Sequence, residues 1–188
     1  MPGWMELFRE IGACKGCALC QTRSNVVPGE GNPDARVLFV GEGPGADEDR
    51  LGRPFVGASG QLLTGMIEAI GLKRSDVYIA NVVKCRPPGN RTPTAAEAQA
   101  CLPYLRRQTA LIRPRIIVLL GGTAAKFLLG ENVRIRRDHG VFTEKKGILF
   151  MPTFHPSALL RDPTQKKDAW ADFEKLRDAL REMDDESV

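Results

Sequence analysis

The sequence predicts an α/β fold, a three-layer α/β/α sandwich with a central, mostly parallel sheet. Short apolar runs that read as buried strands alternate with helical patterns along the chain. Turns rich in glycine or proline directly follow these strands, as is typical of strand, loop, helix units. Since no repeat, low-complexity tract or linker interrupts this order, we expect residues 1–188 to form a single domain.

The N-terminal third contains a short helix, a long loop and the first strand, loop, helix unit. The helix is predicted over residues 5–11. Residues 14–31 are rich in cysteine, glycine and proline and predict an ordered loop, which at that length needs something to hold it. The apolar strand of residues 36–40 then leads through the glycine turn 41–45 and a polar stretch to a helix over residues 59–70.

Two further units follow in the middle of the chain. The strand of residues 77–83 leads through a Pro/Gly-rich loop, residues 86–93, to a long helix that Thr94 caps. The strand of residues 115–120 leads through a glycine pair to a helix over residues 123–129. Parallel strands joined by helices place their carboxyl ends at one edge of a sheet, where ligands collect.

The C-terminal part has a strand-like region, a short segment with two prolines and a charged helix. The strand-like region spans residues 140–150, and the segment of residues 151–157 contains His155. The helix is predicted over residues 168–182. His155 therefore lies at the carboxyl end of a strand, as the turn 41–45 and Asn81 do on this interpretation.

An aromatic ring, an amide and an imidazole are expected near this edge. Phe55 lies in a Gly/Pro loop, Asn81 in an apolar strand and His155 after a strand. Each alone has an ordinary structural explanation, as a packed ring, a hydrogen-bonded amide or a satisfied histidine. Together they fit the recognition of a planar heterocycle.

The glycine turn does not match a phosphate-binding loop. Residues 41–45 fit neither the dinucleotide fingerprint nor the P-loop pattern, and the carboxylates of Asp47, Glu48 and Asp49 would repel a phosphate. Such a turn suits a neutral ligand close to the backbone, with acids available for hydrogen bonding. The alternative is a strained turn followed by a solvated acidic run.

Composition and charge limit the classes of function. The chain has 27 Lys and Arg against 23 Asp and Glu, a net charge of +4 that suits an anionic partner without requiring one. No run approaches the roughly 20 apolar residues that cross a bilayer, and the start lacks a basic and then apolar signal segment. We therefore expect no membrane contact and a cytoplasmic location.

Five cysteines in a reducing compartment indicate metal or redox ligands rather than disulfides. Cys14 and Cys17 form a short-spaced pair, Cys85 follows the second unit's strand, and Cys101 lies in the next helix. An iron–sulfur cluster, a zinc site and plain burial of the thiols all remain open from the spacing. Cys20 could replace one of the other ligands.

Three segments and the cysteine arrangement resemble the family 4 uracil-DNA glycosylases. The segments are GEGPGADEDRLGRPFVGASG at 41–60, NVVKCRP at 81–87 and HPS at 155–157. The resemblance extends over roughly residues 7–176. It implies a uracil-DNA glycosylase-like sandwich and hydrolysis of the N-glycosidic bond of a flipped-out deoxyuridine, as in base excision repair. It also implies a [4Fe-4S] cluster, whose ligands would be Cys14, Cys17, Cys85 and Cys101.

The resemblance also implies roles for the residues at the strand ends. Phe55 would stack on uracil, Asn81 would read its Watson–Crick edge, and His155 would face O2. The backbone of Gly41, Glu42 and Gly43 and the side chain of Glu48 would complete the pocket. A carboxamide matches the O4 acceptor and the N3–H donor of uracil, whereas cytosine presents the reverse pattern.

Two departures from the family 1 enzymes affect this assignment. Gly43 stands where those enzymes have a water-activating aspartate. Glu42 and Glu48 are therefore the candidates for the base, and His155 is the third expected catalytic residue. Gly45 stands where they have a tyrosine that blocks thymine, so we hypothesise that Glu48 excludes the methyl group.

The expected partners are uracil-containing DNA and free uracil, with a monomeric enzyme in the cytoplasm, associated with the nucleoid through DNA. No lysine is placed as a Schiff-base nucleophile, which favours a monofunctional glycosylase. The alternatives are a catalytically silent uracil- or DNA-binding module and an iron–sulfur electron carrier of the same fold. The arginines expected to contact phosphate are Arg86, Arg91, Arg134, Arg136 and Arg137.

Overall fold

A computed structural model describes residues 2–185; the outermost residues of the predicted domain, 1 and 186–188, lie outside it. Its strands are β1 (Glu30–Gly31), β2 (Val37–Gly41), β3 (Tyr78–Asn81), β4 (Ile116–Leu120), β5 (Thr143–Lys145) and β6 (Ile148–Thr153). Its helices are α1 (Pro2–Ala13), α2 (Ala46–Leu51), α3 (Ala58–Ala69), α4 (Ala95–Ile112), α5 (Gly122–Leu129), α6 (Ile135–Asp138), α7 (Pro156–Arg161) and α8 (Lys166–Asp185). Within residues 2–185, no helix has both the length and the apolar character needed to span a membrane.

The strands form one sheet in the order β1-β3-β2-β4-β6-β5. The four central strands are parallel to one another, and the edge strands β1 and β5 pair antiparallel. The predicted α/β fold with a mostly parallel sheet is therefore confirmed. A sheet of this kind must be covered on both faces, because its central strands are mostly apolar.

Helices cover each face of the sheet and bury two separate cores. Alternate residues of a strand point to opposite faces, so Leu38 packs with α1, α4 and α5, while Phe39 packs with α3 and α8. Phe39 and Phe173 of α8 stack with ring centroids 5.9 Å apart. The strand ends are thereby held in fixed positions between two helical layers.

The predicted cap of the long helix is present. Thr94 precedes α4 and accepts a hydrogen bond from the Glu97 N–H, while the Glu97 carboxylate accepts from the Thr94 N–H. This reciprocal pair satisfies two donors that the first turn of a helix leaves free. Arg91 adds a salt bridge of 2.7 Å to Glu97, whose pKa falls to about 2 chiefly because of that bond.

Several predicted boundaries differ from the structure. The polar stretch after the glycine turn contains α2, whose acidic first turn suits the positive end of a helix. The strand-like region 140–150 is the hairpin of β5 and β6, with Lys146 and Gly147 at positive φ in its turn. The strand predicted over residues 77–83 ends at Asn81, although Val82 and Val83 still donate to the carbonyls of Gly41 and Glu42.

Candidate active site

A cavity of about 580 Å³ opens at the carboxyl ends of the parallel strands. This volume lies in the usual range of about 300–1,000 Å³ for small-molecule sites. The sequence-predicted residues that line it are Glu42, Gly43, Glu48, Phe55, Asn81 and His155. Gly41 lies directly behind them, at the end of β2. The structure thus brings these predicted pocket residues to one place.

Asn81 ends β3 with its side chain almost fully buried, at 2% exposure. Its Oδ1 is the one buried side-chain nitrogen or oxygen atom within residues 2–185 that has no hydrogen-bond partner. A Cβ atom on Gly41 would lie 2.4 Å from this Oδ1 and 2.6 Å from the ring of Phe55. Only glycine therefore fits beside the amide and the ring.

Phe55 is held in a left-handed conformation, with φ at 49°, which is uncommon for a bulky residue. Arg74 fixes this loop by donating to the carbonyls of Phe55 at 2.9 Å and Pro54 at 2.5 Å. Arg74 is in turn held by a salt bridge of 2.9 Å to Glu30. The strained position of the ring is thus supported by partly buried polar contacts from a residue that does not line the cavity.

His155 precedes α7 and faces the ring of Phe55, with centroids 5.5 Å apart. Its Nδ1 lies 3.1 Å from the backbone N–H of Ser157 and 2.7 Å from the Ser157 hydroxyl. Burial lowers the pKa of His155 to about 4, and the positive charge of Arg161 acts in the same direction. The imidazole is therefore neutral at physiological pH.

His139, the second histidine, does not line the cavity. Its Nδ1 lies 2.9 Å from the buried carboxylate of Asp172, which also accepts a hydrogen bond from the Thr153 hydroxyl at 2.6 Å. This network joins α8 to the end of β6 and to the residue that follows α6. It supports the cavity wall from behind.

The two glutamates that line the cavity differ in their surroundings. Glu48 of α2 is buried, and its Oε1 accepts the backbone N–H groups of Val56 at 2.9 Å and Gly57 at 3.0 Å. Glu48 therefore fastens α2 to the residues that follow Phe55. The side chain of Glu42 is only partly buried and makes no hydrogen bond within the described residues.

The five arginines expected to contact DNA differ in their partners. Arg86 donates to Asn90 Oδ1, and Arg134 donates to the carbonyls of Glu131 and Val133. Arg91 and Arg137 are committed to salt bridges with Glu97 and Asp138. Arg136 lines the cavity, as does Arg161 of α7, which the sequence reasoning did not single out. Both are exposed, and within residues 2–185 neither forms a salt bridge. They leave two unneutralised cations at the cavity rim.

All five cysteines line a second, smaller cavity. Cys14, Cys17 and Cys20 come from the loop after α1, Cys85 from the segment after β3, and Cys101 from α4. Burial raises the pKa of the Cys101 thiol to about 11 and also raises that of Cys85. Uncharged thiols of this kind become strong ligands only when a metal replaces the proton.

Two cations lie against this second cavity. The Arg23 guanidinium donates to Cys85 Sγ at 3.0 Å and to the Cys14 carbonyl at 3.1 Å. Lys84 is fully buried and lines the same cavity, and burial lowers its pKa to about 8. An anionic group held by the thiolates would offset both positive charges.

The donors are spread around the second cavity rather than gathered at one point. Within residues 2–185, no three His, Cys, Asp or Glu side chains are arranged to hold a single metal ion. A zinc site needs four ligands about 2.0–2.3 Å from one centre. A four-iron cluster binds each thiolate to a different iron, so its ligands stand further apart.

Sequence reasoning missed several residues that shape the site. Ser157 sets the imidazole, Arg74 supports the Phe55 loop, and Lys84 lies between the two cavities. A serine two residues after a histidine is a signal for a local side-chain to backbone bond. No comparable local signal marks Lys84 or Arg74, because their partners are distant in sequence or depend on tertiary packing.

Comparison with known proteins gives a consistent result. Residues 28–177 match the model of the uracil DNA glycosylase superfamily. A type-4 uracil-DNA glycosylase of Sulfurisphaera tokodaii is 50% identical, over 95% of this chain and 85% of the relative. Type-4 uracil-DNA glycosylases of Thermotoga maritima and Archaeoglobus fulgidus are 47% and 46% identical, over 94% and 91% of this chain and 95% and 90% of their own lengths.

Proposed function

The chain belongs to the uracil DNA glycosylase superfamily, and we propose that the cavity at the carboxyl ends of its strands is where it excises uracil from DNA. Type-4 uracil-DNA glycosylases match it over nearly their full lengths. The protein is accordingly a monofunctional glycosylase, a hydrolase of base excision repair. It cleaves the N-glycosidic bond and leaves an abasic site.

The observation that carries the proposal for the pocket is the unpartnered Oδ1 of Asn81. A buried acceptor without a partner is costly, by about 1–3 kcal/mol, unless a ligand satisfies it. The N3–H of uracil is a donor of the required kind, and the Asn81 NH2 group can then donate to O4. Cytosine has an acceptor at N3 and an amino group at C4, so it would be rejected.

Phe55 would supply the surface on which the flipped-out base stacks. Its ring lies beside Asn81 across the space that Gly41 leaves open, and it faces His155. Extracting a base from the duplex costs a few kcal/mol, and stacking on an aromatic ring returns about 1–3 kcal/mol. The Arg74 contacts keep the ring in place before the base arrives.

His155 would stabilise the charge that develops on the leaving uracil. The backbone N–H of Ser157 can only donate, so Nδ1 carries a lone pair and the ring proton of the neutral imidazole is on Nε2. We place Nε2–H opposite the uracil O2, where negative charge collects as the bond breaks. Removing one such preorganised donor typically costs about 2.7–4 kcal/mol of barrier.

Glu42 is the better candidate for orienting the attacking water, and Glu48 for holding the pocket. One oxygen of Glu48 already accepts two backbone N–H groups. Its other oxygen, Oε2, would lie 2.8 Å from a Cβ atom on Gly45, so Glu48 occupies the space at that glycine. This position is consistent with the exclusion of the thymine methyl group by Glu48. Glu42 keeps both carboxylate oxygens available at the cavity wall.

We also propose a [4Fe-4S] cluster bound by Cys14, Cys17, Cys85 and Cys101. The spread of the thiols around one small cavity and the two adjacent cations fit a cluster with a net negative charge. When bound, the cluster would supply four covalent links and no catalytic chemistry. Those links would fasten the loop after α1 to β3 and α4, and β3 carries Asn81.

Arg136 and Arg161 are proposed to bind the phosphates on either side of the flipped nucleotide, because they border the cavity without carboxylate partners. We also propose three further properties of this protein. They are one domain over the whole chain, a monomer, and a location at the nucleoid.

An excision assay tests the proposal directly. A labelled oligonucleotide with one uracil is incubated with metal-replete protein, treated with alkali and analysed for strand cleavage, with matched thymine and cytosine oligonucleotides as controls. We expect cleavage of the uracil strand alone, and release of free uracil. Tight binding of uracil-DNA without release would support the silent module instead, and reversible redox cycling without DNA cleavage would support the electron carrier.

A further inference from the structure

Lys84 is a fully buried lysine between the two cavities, at 1% exposure. It follows β3 by three positions, precedes Cys85 and lines the cysteine cavity. Within residues 2–185, it forms no salt bridge with a carboxylate. The proposed cluster would offset the charge of this ammonium group, but Nζ donates its hydrogen bonds to neutral groups outside the cysteine cavity, and burying an ammonium group is costly. The contacts of Lys84 therefore call for an explanation.

The ammonium group is bound to the main chain of Asn81. Nζ donates to the Asn81 carbonyl oxygen at 2.9 Å. Val82 donates to Gly41, so the Asn81 carbonyl points away from β2 and towards the β1 side of the sheet. Strand β1 begins opposite Ile79, pairs only with Ile79 and Tyr78, and therefore does not extend alongside Asn81. Lys84 thus supplies the donor that the sheet lacks at this position.

The other contacts of Lys84 lead to α4. Nζ donates to Gln108 Oε1 at 2.7 Å, and the Lys84 backbone N–H donates to Cys101 Sγ at 3.3 Å. Gln108 is itself fully buried and donates from Nε2 to the Pro28 carbonyl at 2.7 Å. Gln108 and Cys101 lie two turns apart on α4, on the same face. Lys84 is therefore fixed from α4 as well as from β3.

We propose that Lys84 is a positioning residue for uracil recognition, which holds the Asn81 main chain so that the carboxamide faces the base. This inference rests on the proposed role of Asn81 in the pocket. Lys84 would thereby connect the two cavities. The segment that carries Cys85 and contacts Cys101 would also orient Asn81 in the active-site cavity. Lys84 itself does not touch the base.

The test is Lys84→Met, which keeps the length of the side chain and removes its donors. The backbone N–H to Cys101 is retained in this variant. We expect the single-turnover rate of uracil excision to fall roughly tenfold, the loss expected for one hydrogen bond to a charged group. Inhibition by free uracil should weaken in proportion, while affinity for abasic DNA and iron per chain stay as in the wild type. Lys73→Met, at an exposed lysine that lies before the amino end of β3, is the charge-matched control.

A double-mutant cycle with Asn81→Ala separates positioning from general stability. If Lys84 acts through the Asn81 carboxamide, Lys84→Met should change the rate by less than about twofold when Asn81 is already alanine. Additive losses would overturn the inference, as would a wild-type rate in the single variant. Gln108→Met removes the second hydrogen-bond acceptor of Nζ. We expect it to lower the excision rate less than Lys84→Met does, and to have little further effect when Asn81 is already alanine.

The outcomes also separate this inference from the proposed function. Absence of uracil excision by the wild-type protein would contradict the proposed function itself. An active wild type with an equally active Lys84→Met variant would contradict the inference alone. Loss of iron from both Lys84→Met and Gln108→Met in step with the loss of rate would assign Lys84 to cluster retention and would also overturn the inference.

Discussion

Ser157 directs two hydrogen-bonding groups at Nδ1 of His155, its backbone N–H at 3.1 Å and its hydroxyl at 2.7 Å. Because the backbone group can only donate, Nδ1 must be the acceptor and the hydroxyl must also donate. The ring proton of the neutral imidazole is thereby fixed on Nε2. One serine determines which atom of His155 can donate in the cavity.

Replacing the Ser157 hydroxyl should weaken this control. Ser157→Ala keeps the backbone donor and loses the hydroxyl, so we expect the excision rate to fall about threefold to tenfold, the usual range for one neutral hydrogen bond. Single-turnover kinetics on a uracil oligonucleotide measure the change. Ser157→Thr, which keeps a hydroxyl, is the matched control. Equal rates for the alanine and wild-type proteins would show that the backbone donor alone sets the tautomer.

Asn81→Ala should remove uracil recognition without disturbing the cysteine cavity. It takes away an acceptor for N3–H and a donor for O4, and two such bonds correspond to roughly 100-fold in rate. The iron content and the absorbance near roughly 400 nm expected for a cluster of this type should be retained. Asn81→Asp keeps the shape but places a second acceptor towards O4, and we expect it to be equally impaired on uracil. Normal excision by Asn81→Ala would refute the pocket assignment.

Substitution of Glu42 should affect the rate of excision, whereas substitution of Glu48 should affect stability. Glu42→Gln should lower kcat by about 100-fold, the lower end for loss of a general base, with unchanged stability. Glu48→Gln keeps an acceptor for Val56 and Gly57 and should be milder. Glu48→Ala leaves both N–H groups unpaired, at about 1–3 kcal/mol each. Denaturant unfolding beside kinetics measures both effects, and a stable but inactive Glu48→Gln would reverse the assignment.

Removing Cys85 should release iron before it affects chemistry. In Cys85→Ala we expect loss of most of the iron and sulfide, then loss of stability, because metal binding and folding are coupled. Cys20→Ala should retain the wild-type iron content, although Cys20 lines the same cavity. Iron analysis of both variants measures this. If Cys85→Ala keeps its full iron content and the double variant Cys20→Ala/Cys85→Ala loses it, Cys20 is a ligand.

The sequence predicts the strand ends better than it predicts what supports them. The turn 41–45, Asn81 and His155 were expected at one edge because carboxyl ends of parallel strands share an edge, and the structure brings them to one cavity. The acidic run after the turn predicts only a polar stretch, whereas in the structure α2 turns Glu48 inward to the Val56 and Gly57 amides. The charge pattern of residues 47–49 does not predict the burial of Glu48, because its partners are backbone N–H groups of the loop that follows Phe55.

The same limit applies to the basic residues. The sequence does not distinguish Arg91 from Arg136. In the structure, the capping box with Thr94 places the Glu97 carboxylate beside Arg91, whose positive charge it neutralises. All of Arg91, Arg136 and Arg161 border the cavity, but within residues 2–185 only Arg91 of these three forms a salt bridge, so Arg136 and Arg161 remain available. Lys84 was hidden for a related reason: its partners Gln108 and Cys101 belong to α4, and only the packing of α4 on β3 brings them together.

The buried imidazole should make stability depend on pH. The pKa of His155 is about 4 in the folded protein, chiefly because of burial, against 6.5 for the unperturbed group. Between these values the unfolded chain binds a proton that the native state does not, so stability falls as pH decreases through this window. The full difference corresponds to about 3 kcal/mol, present above pH 6.5 and lost towards pH 4. Denaturant unfolding of wild type and His155→Asn at pH 7 and pH 4.5 measures it. The variant should lose less stability on acidification, and identical pH dependence in the two proteins would show that His155 is not the group that titrates.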